Sequence, residues 1–85
     1  MHGNDGGRMK RMKNKRIVVV GLGRTGLALA RFLTNRGARV TATDTATEKA
    51  LGSSVQPLID LGIRMELEHH RVESFLSADL ILLSP

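Results

Sequence analysis

The stretch Ile17-Val18-Val19-Val20-Gly21-Leu22-Gly23-Arg24-Thr25-Gly26 decides the fold class of this 85-residue chain. Its four β-branched apolar residues predict a strand that is buried on both faces. The glycines that follow have the spacing G-x-G-x-x-G, and a helical pattern begins at Thr25. A strand, a glycine-rich turn and a helix in this order are typical of the first unit of a doubly wound nucleotide-binding fold.

Three further strands, separated by helices, are predicted downstream. The first helix carries an apolar stripe of Leu29, Phe32 and Leu33, and Gly37 ends it. The later predicted elements are a strand at 39–44, a short turn at 48–51, a helix with Pro57 in its first turn that Gly62 closes, a strand at 63–67, a helical turn at 72–77 and a buried strand at 80–83.

Strands that alternate with helices pair in parallel through right-handed crossovers. We therefore predict an α/β, Rossmann-like, doubly wound parallel sheet of about four strands. The apolar strand at 80–83 would leave this sheet incomplete at its C-terminal edge. Because proteins seldom leave such an edge bare, we expect residues 15–85 to be the N-terminal domain of a longer protein, and the isolated chain to be marginally stable or to self-associate through this edge.

The net charge of +5 arises entirely from the first sixteen residues, which hold six basic residues and one acidic residue. The rest of the chain carries seven of each sign. Residues 1–14 contain few apolar residues and several glycines, which predicts a disordered basic leader. Because this leader has no aromatic residue on which a base would stack, the charge is not a nucleic-acid signal.

Composition excludes several classes of site. The chain has no cysteine, which removes disulfides, thiolate zinc sites and cysteine nucleophiles. No apolar run approaches the ~18 residues of a membrane span, so no membrane partner is expected. These features predict a cytoplasmic protein.

The glycine-rich turn predicts an anion site. Gly21 permits the tight turn, Gly23 allows a phosphate to approach the backbone, and Gly26 allows the helix to pack close to the sheet. The amides of residues 24–26 would face the anion at the positive end of the helix. A P-loop is rejected because Leu27-Ala28 stand where a lysine and a hydroxyl residue are needed.

Asp44 is the second predicted site residue. It ends the second strand, 23 residues after Gly21, where nucleotide-binding domains of this type carry an acidic group. Its carboxylate would accept a hydrogen bond from a ribose hydroxyl or from a base N–H. The turn and Asp44 together indicate a nucleotide diphosphate without naming the nucleotide.

Three segments resemble the N-terminal domain of the Mur ligases, and within that family the MurD group. They are the first strand with its turn (15–28), the second strand from Gly37-Ala38-Arg39-Val40 to Asp44-Thr45, and Ala78-Asp79-Leu80-Ile81-Leu82-Leu83-Ser84-Pro85, which is similar to the family's fourth strand and the opening of its Ser-Pro-Gly turn. The resemblance covers residues 15–85.

The resemblance implies an ATP- and magnesium-dependent ligase of peptidoglycan precursor synthesis that joins D-glutamate to UDP-N-acetylmuramoyl-L-alanine. The first domain of that family holds the UDP part of the substrate, while the ATP, magnesium and D-glutamate sites lie in later domains. This implies that the 85-residue chain binds no cofactor and is inactive alone, and that its partners are the substrate and the remaining ligase domains in cis.

Residue roles follow from the resemblance by position. The backbone amides of Arg24 and Thr25 would bind the diphosphate, with the Thr25 hydroxyl as a further donor. Asp44 would accept the uracil imide N–H, and Thr45 would contact a uracil carbonyl. The complete set of predicted UDP-binding residues is Gly21, Gly23, Arg24, Thr25, Gly26, Asp44, Thr45 and Ser84.

The chain departs from the family pattern at two places. Ala46 stands where some relatives carry an arginine, which removes one contact to the base. Glu68-His69-His70 replaces an expected glycine before a histidine; adjacent histidines point to opposite sides of an extended chain, which favours a solvated loop over a metal site. The alternative functions are the NAD-binding half of a dehydrogenase, a nucleotide-sensing regulatory domain, or a truncated fold without function.

Overall fold

Four parallel strands form one sheet in the order β3-β2-β1-β4. The computed structural model describes residues 12–85, so most of the predicted leader lies outside the described residues. The strands are β1 (Arg16–Val20), β2 (Arg39–Asp44), β3 (Arg64–Leu67) and β4 (Leu80–Leu83). This arrangement confirms the predicted doubly wound α/β fold.

Four α-helices and one 3₁₀ turn connect these strands. The helices are α1 (Arg24–Asn35), α2 (Glu48–Leu51), α3 (Val55–Asp60) and α4 (Val72–Leu76), and the 3₁₀ turn Gly52–Ser54 joins α2 to α3. Gly37 and Gly62 follow α1 and α3 with φ of +92° and +87°. Both glycines therefore end their helices in the left-handed conformation that the sequence predicts. No helix in the described part of the chain is long and apolar enough to span a membrane.

The main core lies on the sheet face that α1 and α3 cover. Alternate residues of the two central strands point to this face, because successive side chains of a strand lie on opposite sides. Ile17, Val19, Val40 and Ala42 are buried there. The helices contribute Ala30, Leu33 and Leu58, which complete one aliphatic cluster with Ile63 and Leu22.

Phe32 does not belong to the apolar stripe of α1, and that prediction was wrong. Its side chain is 51% exposed, and the Arg36 guanidinium lies 4.7 Å from the centre of its ring. The residues of α1 that are buried are Gly26, Ala30 and Leu33. Small residues at 26 and 30 bring the helix axis close to the sheet, and this orientation turns position 32 toward solvent.

The strand β4 is not buried as predicted. Leu80 and Ile81 are partly exposed, and Leu83 is 78% exposed. The physical reason is its place in the sheet, since β4 pairs with β1 alone among the described strands. The sequence predicted a buried strand here and also an apolar sheet edge without cover. The exposed side chains of β4 agree with the second of these predictions.

The other face of the sheet is polar over its β2–β3 half. The strand register places Val20 beside Thr43 and Thr43 beside Glu66. The segment 70–77, which contains α4, covers this row, and its residues hydrogen-bond to Thr43 and Glu66. Thr43 and Glu66 are consequently the buried polar residues of the described chain.

Residues just before β1 are attached to the domain. The Asn14 N–H donates to the Gly37 carbonyl at 2.9 Å, and Met12 packs against the aliphatic cluster. Among the described residues, Met12 and Asn14 therefore contact the fold, although the sequence assigned both to the leader.

Candidate functional site

The glycine-rich turn lies at the carboxyl edge of the sheet between β1 and α1. Gly21 has a φ of +96°, which favours glycine, and its N–H donates to the Thr43 carbonyl at 2.9 Å. A Cβ at position 26 would overlap the Gly21 carbonyl oxygen. The backbone conformation therefore favours glycine at position 21, and the close approach of α1 to the end of β1 requires it at position 26.

The first turn of α1 presents backbone donors that have no acceptor within residues 12–85. Gly23 is the N-cap, it supplies no side-chain cap, and the first helical hydrogen bond joins the Leu27 N–H to the Gly23 carbonyl at 3.0 Å. The amides of Arg24, Thr25 and Gly26 precede that bond. Unbonded amides at the positive end of a twelve-residue helix suit a phosphate group.

Asp44 connects the glycine turn to the loop after β2. Its Oδ2 accepts the Leu22 N–H at 2.7 Å, and its Oδ1 accepts the Ala46 N–H at 2.8 Å. These backbone hydrogen bonds, first from Ala46 and then from Leu22, lower the pKa of the Asp44 carboxyl, with a smaller contribution from the charge of His70. Each oxygen keeps a further lone pair for a ligand.

Ser84 completes the same edge. Its N–H donates to the Val20 carbonyl at 2.8 Å, which continues the pairing of β4 with β1. Its Oγ lies 3.1 Å from the position that a Cβ at Gly26 would occupy. The structure therefore brings the glycine turn, Asp44 and Ser84 together, while Thr45 follows Asp44 as an exposed residue at the rim.

A second loop, which the sequence did not assign to the site, also reaches this edge. The Glu68 N–H is shared between the carbonyls of Asp44, at 2.9 Å, and Ala46, at 3.2 Å. Glu68 has a φ of +75°, a left-handed conformation that costs a non-glycine residue energy. The glycine expected at this place was the signal that could have predicted this conformation.

His70 fixes the same loop to the sheet. Its Nδ1 shares a hydrogen bond with the buried Thr43 hydroxyl, and its ring meets Phe75 edge-on, with centroids 5.7 Å apart. His70 is thus held against the strand that ends at Asp44. No group of three or more metal-ligating side chains occurs within residues 12–85.

Glu66 is a buried carboxylate that sequence reasoning also missed. It is 6% exposed, and its Oε2 accepts the Ser74 hydroxyl at 2.6 Å and lies 3.2 Å from Arg64 Nε. Its Oε1 has no partner within the described chain. A glutamate in a short strand gives no sign of burial until the strand register and the position of α4 are known.

The glycine turn is not a P-loop. The turn has Leu27 and Ala28 where the lysine and hydroxyl of a P-loop would hold the terminal phosphates and the metal. The donors at the carboxyl edge suit a diphosphate held by amides, with one carboxylate beside it.

Residues 15–85 match the family described as Mur ligase MurD-like, N-terminal domain. The match begins just before β1 and includes the glycine turn, Asp44 and Ser84. The chain belongs to this family. The predicted resemblance to the Mur ligases is confirmed.

Full-length relatives of the MurD-like domain are ligases. The chain is 57% identical over 72 residues to a UDP-N-acetylmuramoylalanine–D-glutamate ligase of Geotalea uraniireducens, covering 85% of this chain. It is 55% identical over 73 residues to the ligase of the same name from Desulfosudis oleivorans, covering 86% of this chain. It spans 16% of the length of each of these curated relatives.

A solved dehydrogenase structure shares the fold of the MurD-like domain. The apo-structure of D-lactate dehydrogenase from Escherichia coli superposes with a TM-score of 0.65 at 26% identity, over 87% of this chain and 21% of that one. The arrangement of strands and helices therefore occurs in enzymes of different chemistry, and function has to be argued from the site.

Proposed function

We propose that this MurD-like domain binds the UDP part of UDP-N-acetylmuramoyl-L-alanine, as the first domain of a cytoplasmic ligase that adds D-glutamate to this precursor. The observation that carries the proposal is the meeting of the glycine turn, Asp44 and Ser84 at one edge, in a chain whose residues 15–85 match the MurD-like family. Ligands of open α/β sheets bind at the carboxyl ends of the strands, where these residues lie.

The two ends of the ligand match the two halves of the site. The diphosphate lies at the first turn of α1, where the amides of Arg24 and Thr25 donate to it and the Thr25 hydroxyl adds a donor. Gly21 and Gly23 keep side chains away from the phosphates. Residues 23–25 are exposed at this edge, whereas Gly26 is buried.

The uracil end lies at Asp44 and Thr45. The low pKa of Asp44 keeps its carboxylate ionised at neutral pH, so that it can accept the uracil imide N–H. Thr45 is exposed beside it and contacts a uracil carbonyl. Ala46 keeps its backbone N–H bonded to Asp44, so it holds the carboxylate in place although it lacks the arginine side chain of some relatives.

ATP, Mg²⁺ and D-glutamate are handled by the remaining ligase domains in cis. The relatives of this name are about six times longer than the matched region, which leaves room for these domains. The glycine turn is not a P-loop, and no group of three metal-ligating side chains occurs within residues 12–85, so we expect the 85-residue chain alone to give no D-glutamate-dependent release of phosphate from ATP.

The test is an amide NMR titration of the chain with UDP-N-acetylmuramoyl-L-alanine. Shifts are expected at Gly23 to Gly26 and at Asp44 and Thr45, and Asp44→Asn should weaken them. Asp60→Asn is the matched control, because Asp60 is an exposed carboxylate on α3 whose oxygen accepts only the Gln56 side chain. A folded spectrum that does not change with this ligand would contradict the proposal.

A dehydrogenase-type function is the second candidate, favoured by the likeness to D-lactate dehydrogenase and by the ability of Asp44 to accept a ribose hydroxyl. NAD is therefore titrated in parallel. Stronger shifts at the same amides with NAD than with the UDP ligand would favour this candidate and overturn the proposed substrate.

A further inference from the structure

A cavity of about 570 Å³ opens at the amino-terminal end of the sheet, the end opposite the glycine turn. Arg16, Arg39 and Arg64 line it, and each of them is the first residue of its strand. Hydroxyl side chains complete the polar part of its wall: Thr34, Thr41, Ser74 and Ser77. The volume lies in the range of small-molecule sites.

The strand register explains why three arginines meet. Arg16 and Arg39 are direct partners across β1 and β2, and Arg64 pairs with Thr41, two residues along from Arg39. Residues two apart in a strand share a face, so all three side chains leave the sheet on the same side. Like charges that lie directly opposite each other destabilise a sheet.

The carboxylates in reach neutralise one of the three arginines. Glu66 pairs with Arg64 and also accepts the Ser74 hydroxyl. Asp79 accepts the backbone N–H of Arg16 at 2.8 Å. Within residues 12–85, no carboxylate lies within ion-pair distance of the Arg16 or Arg39 guanidinium.

The cavity wall also holds an unsatisfied hydroxyl. Thr34 Oγ1 is buried and has no hydrogen-bond partner in the described chain. A buried polar atom without a partner costs free energy. Thr34 belongs to α1, on the opposite face of the sheet from the three arginines, so it is the Arg16 and Arg39 guanidinium groups, unpaired in the described chain, that suit an oxygen-rich anion.

We propose that this cavity binds a small phosphate-class anion carrying two or more charges, such as a phosphorylated metabolite. Guanidinium groups match phosphate oxygens with paired N–H donors, and two neighbouring arginines favour a multivalent anion over chloride. The length of β1 separates this cavity from the glycine turn, roughly 15 Å at the rise of a parallel strand. The anion is thus a second ligand of the domain, bound independently of the proposed UDP site.

The experiment uses inorganic pyrophosphate as the probe, titrated into the 85-residue chain at low ionic strength and followed by amide NMR. Shifts are expected at Arg16, Arg39 and Arg64, with an affinity that falls as salt is added. Arg39→Gln and Arg16→Gln should each weaken binding by about tenfold. Arg31→Gln, which removes an exposed charge from α1, is the matched control and should bind as the unaltered chain does.

A second readout depends on the repulsion between the arginines. Without pyrophosphate at low salt, Arg39→Gln should have a higher melting temperature than the unaltered chain. With saturating pyrophosphate, the unaltered chain should have the higher melting temperature. All variants keep the same basic leader, so their differences report the cavity alone.

Three results would overturn the proposal. These are equal affinities for Arg39→Gln and Arg31→Gln, shifts confined to the amides at 23–26, and no binding at millimolar pyrophosphate. A malonate titration tests the ligand class, because affinity equal to that for pyrophosphate would exclude phosphate selectivity.

Discussion

The face of the sheet under α1 and α3 differs from the face that carries α4 in how its side chains contribute to stability. The first face is lined by Ile17, Val19, Val40 and Ala42, and helices cover it. The second face carries a row of Val20, Thr43, Glu66 and Leu83 across the four strands, and it is covered only in part. The first face buries hydrocarbon alone, whereas the second buries the polar groups of Thr43 and Glu66, which need partners, beside Val18.

This difference shows what each face requires of the sequence. An aliphatic face needs apolar residues at the correct period, and many combinations satisfy it. The polar face needs particular pairs, Thr43 with His70 and Glu66 with Ser74, because an unpaired buried group costs more than a paired one gains. Substitutions on the two faces should therefore have effects of different size and different specificity.

The largest effect is expected from Leu58→Ala on the aliphatic face. Leu58 is 1% exposed, and its truncation should lower the free energy of unfolding by about 2–5 kcal/mol. Leu83→Ala on the exposed edge is the control and should cost about 0.5 kcal/mol or less. Urea denaturation measures both, and equal losses would show that β4 is covered in solution, for instance by self-association.

Asp44→Asn should have the next largest effect, at the edge where both faces end. One amide cannot accept both the Leu22 and the Ala46 N–H groups with the strength of a carboxylate, so we expect a loss of about 2 kcal/mol at neutral pH. The same substitution should also change how the free energy of unfolding depends on pH.

The sign of this dependence follows from the lowered pKa of Asp44. The unfolded chain takes up the proton first, near the ordinary value of 3.8, so the contribution of Asp44 is fully present above that pH and disappears as pH falls through the lower folded pKa. Urea denaturation between pH 6 and pH 2.5 measures this, with Asp60→Asn as control. If the free energy of unfolding fell with pH by the same amount in Asp44→Asn and in the unaltered chain, Asp44 would not be the source of this pH dependence.

Ser74→Ala tests the polar face with a smaller change. Loss of the 2.6 Å hydrogen bond leaves the Glu66 carboxylate with Arg64 as its partner, so we expect the free energy of unfolding to fall by about 1–2 kcal/mol. Ser77→Ala removes a hydroxyl that donates only to backbone carbonyls of its own helix, and it should cost less than about 0.5 kcal/mol. Equal losses would mean that the bond to Glu66 does not stabilise the fold.

Glu68→Gly should have the smallest effect and the opposite sign. Glycine adopts the left-handed conformation of Glu68 without steric cost, and part of this gain is lost to the freer unfolded chain. We expect a stabilisation of about 0.5 kcal/mol. Glu68→Ala keeps the conformational cost and should show no gain, which separates a backbone effect from a side-chain effect in the same melting assay.

The aliphatic face and the glycine turn were predicted from sequence because both depend on local patterns. A run of β-branched residues indicates a central strand, and the glycine spacing indicates the turn that meets Asp44. Phe32 was misplaced because its burial depends on how closely α1 approaches the sheet, which small residues on another part of the helix decide.

The polar pairs and the arginine cavity were not predictable in the same way. Thr43 and His70 are 27 residues apart, and Arg16 meets Arg39 only through the register of two strands. Such contacts depend on the alignment of separate elements, and a single sequence carries no local pattern for them. The positive φ of Glu68 accompanies its hydrogen bonds to the end of β2, and only the glycine expected at this place could have predicted it.

The strand order has a consequence for the protein as it leaves the ribosome. β1 pairs on one side with β4, and the Asp79 N–H donates to the Arg16 carbonyl across 63 residues of chain. At a synthesis rate of about 5–20 residues per second, about 3–13 s pass between the synthesis of β1 and the synthesis of this partner. Through that interval an apolar strand edge stays open to other nascent chains and to chaperones, and Ser84 is the last of the proposed ligand-binding residues to be translated.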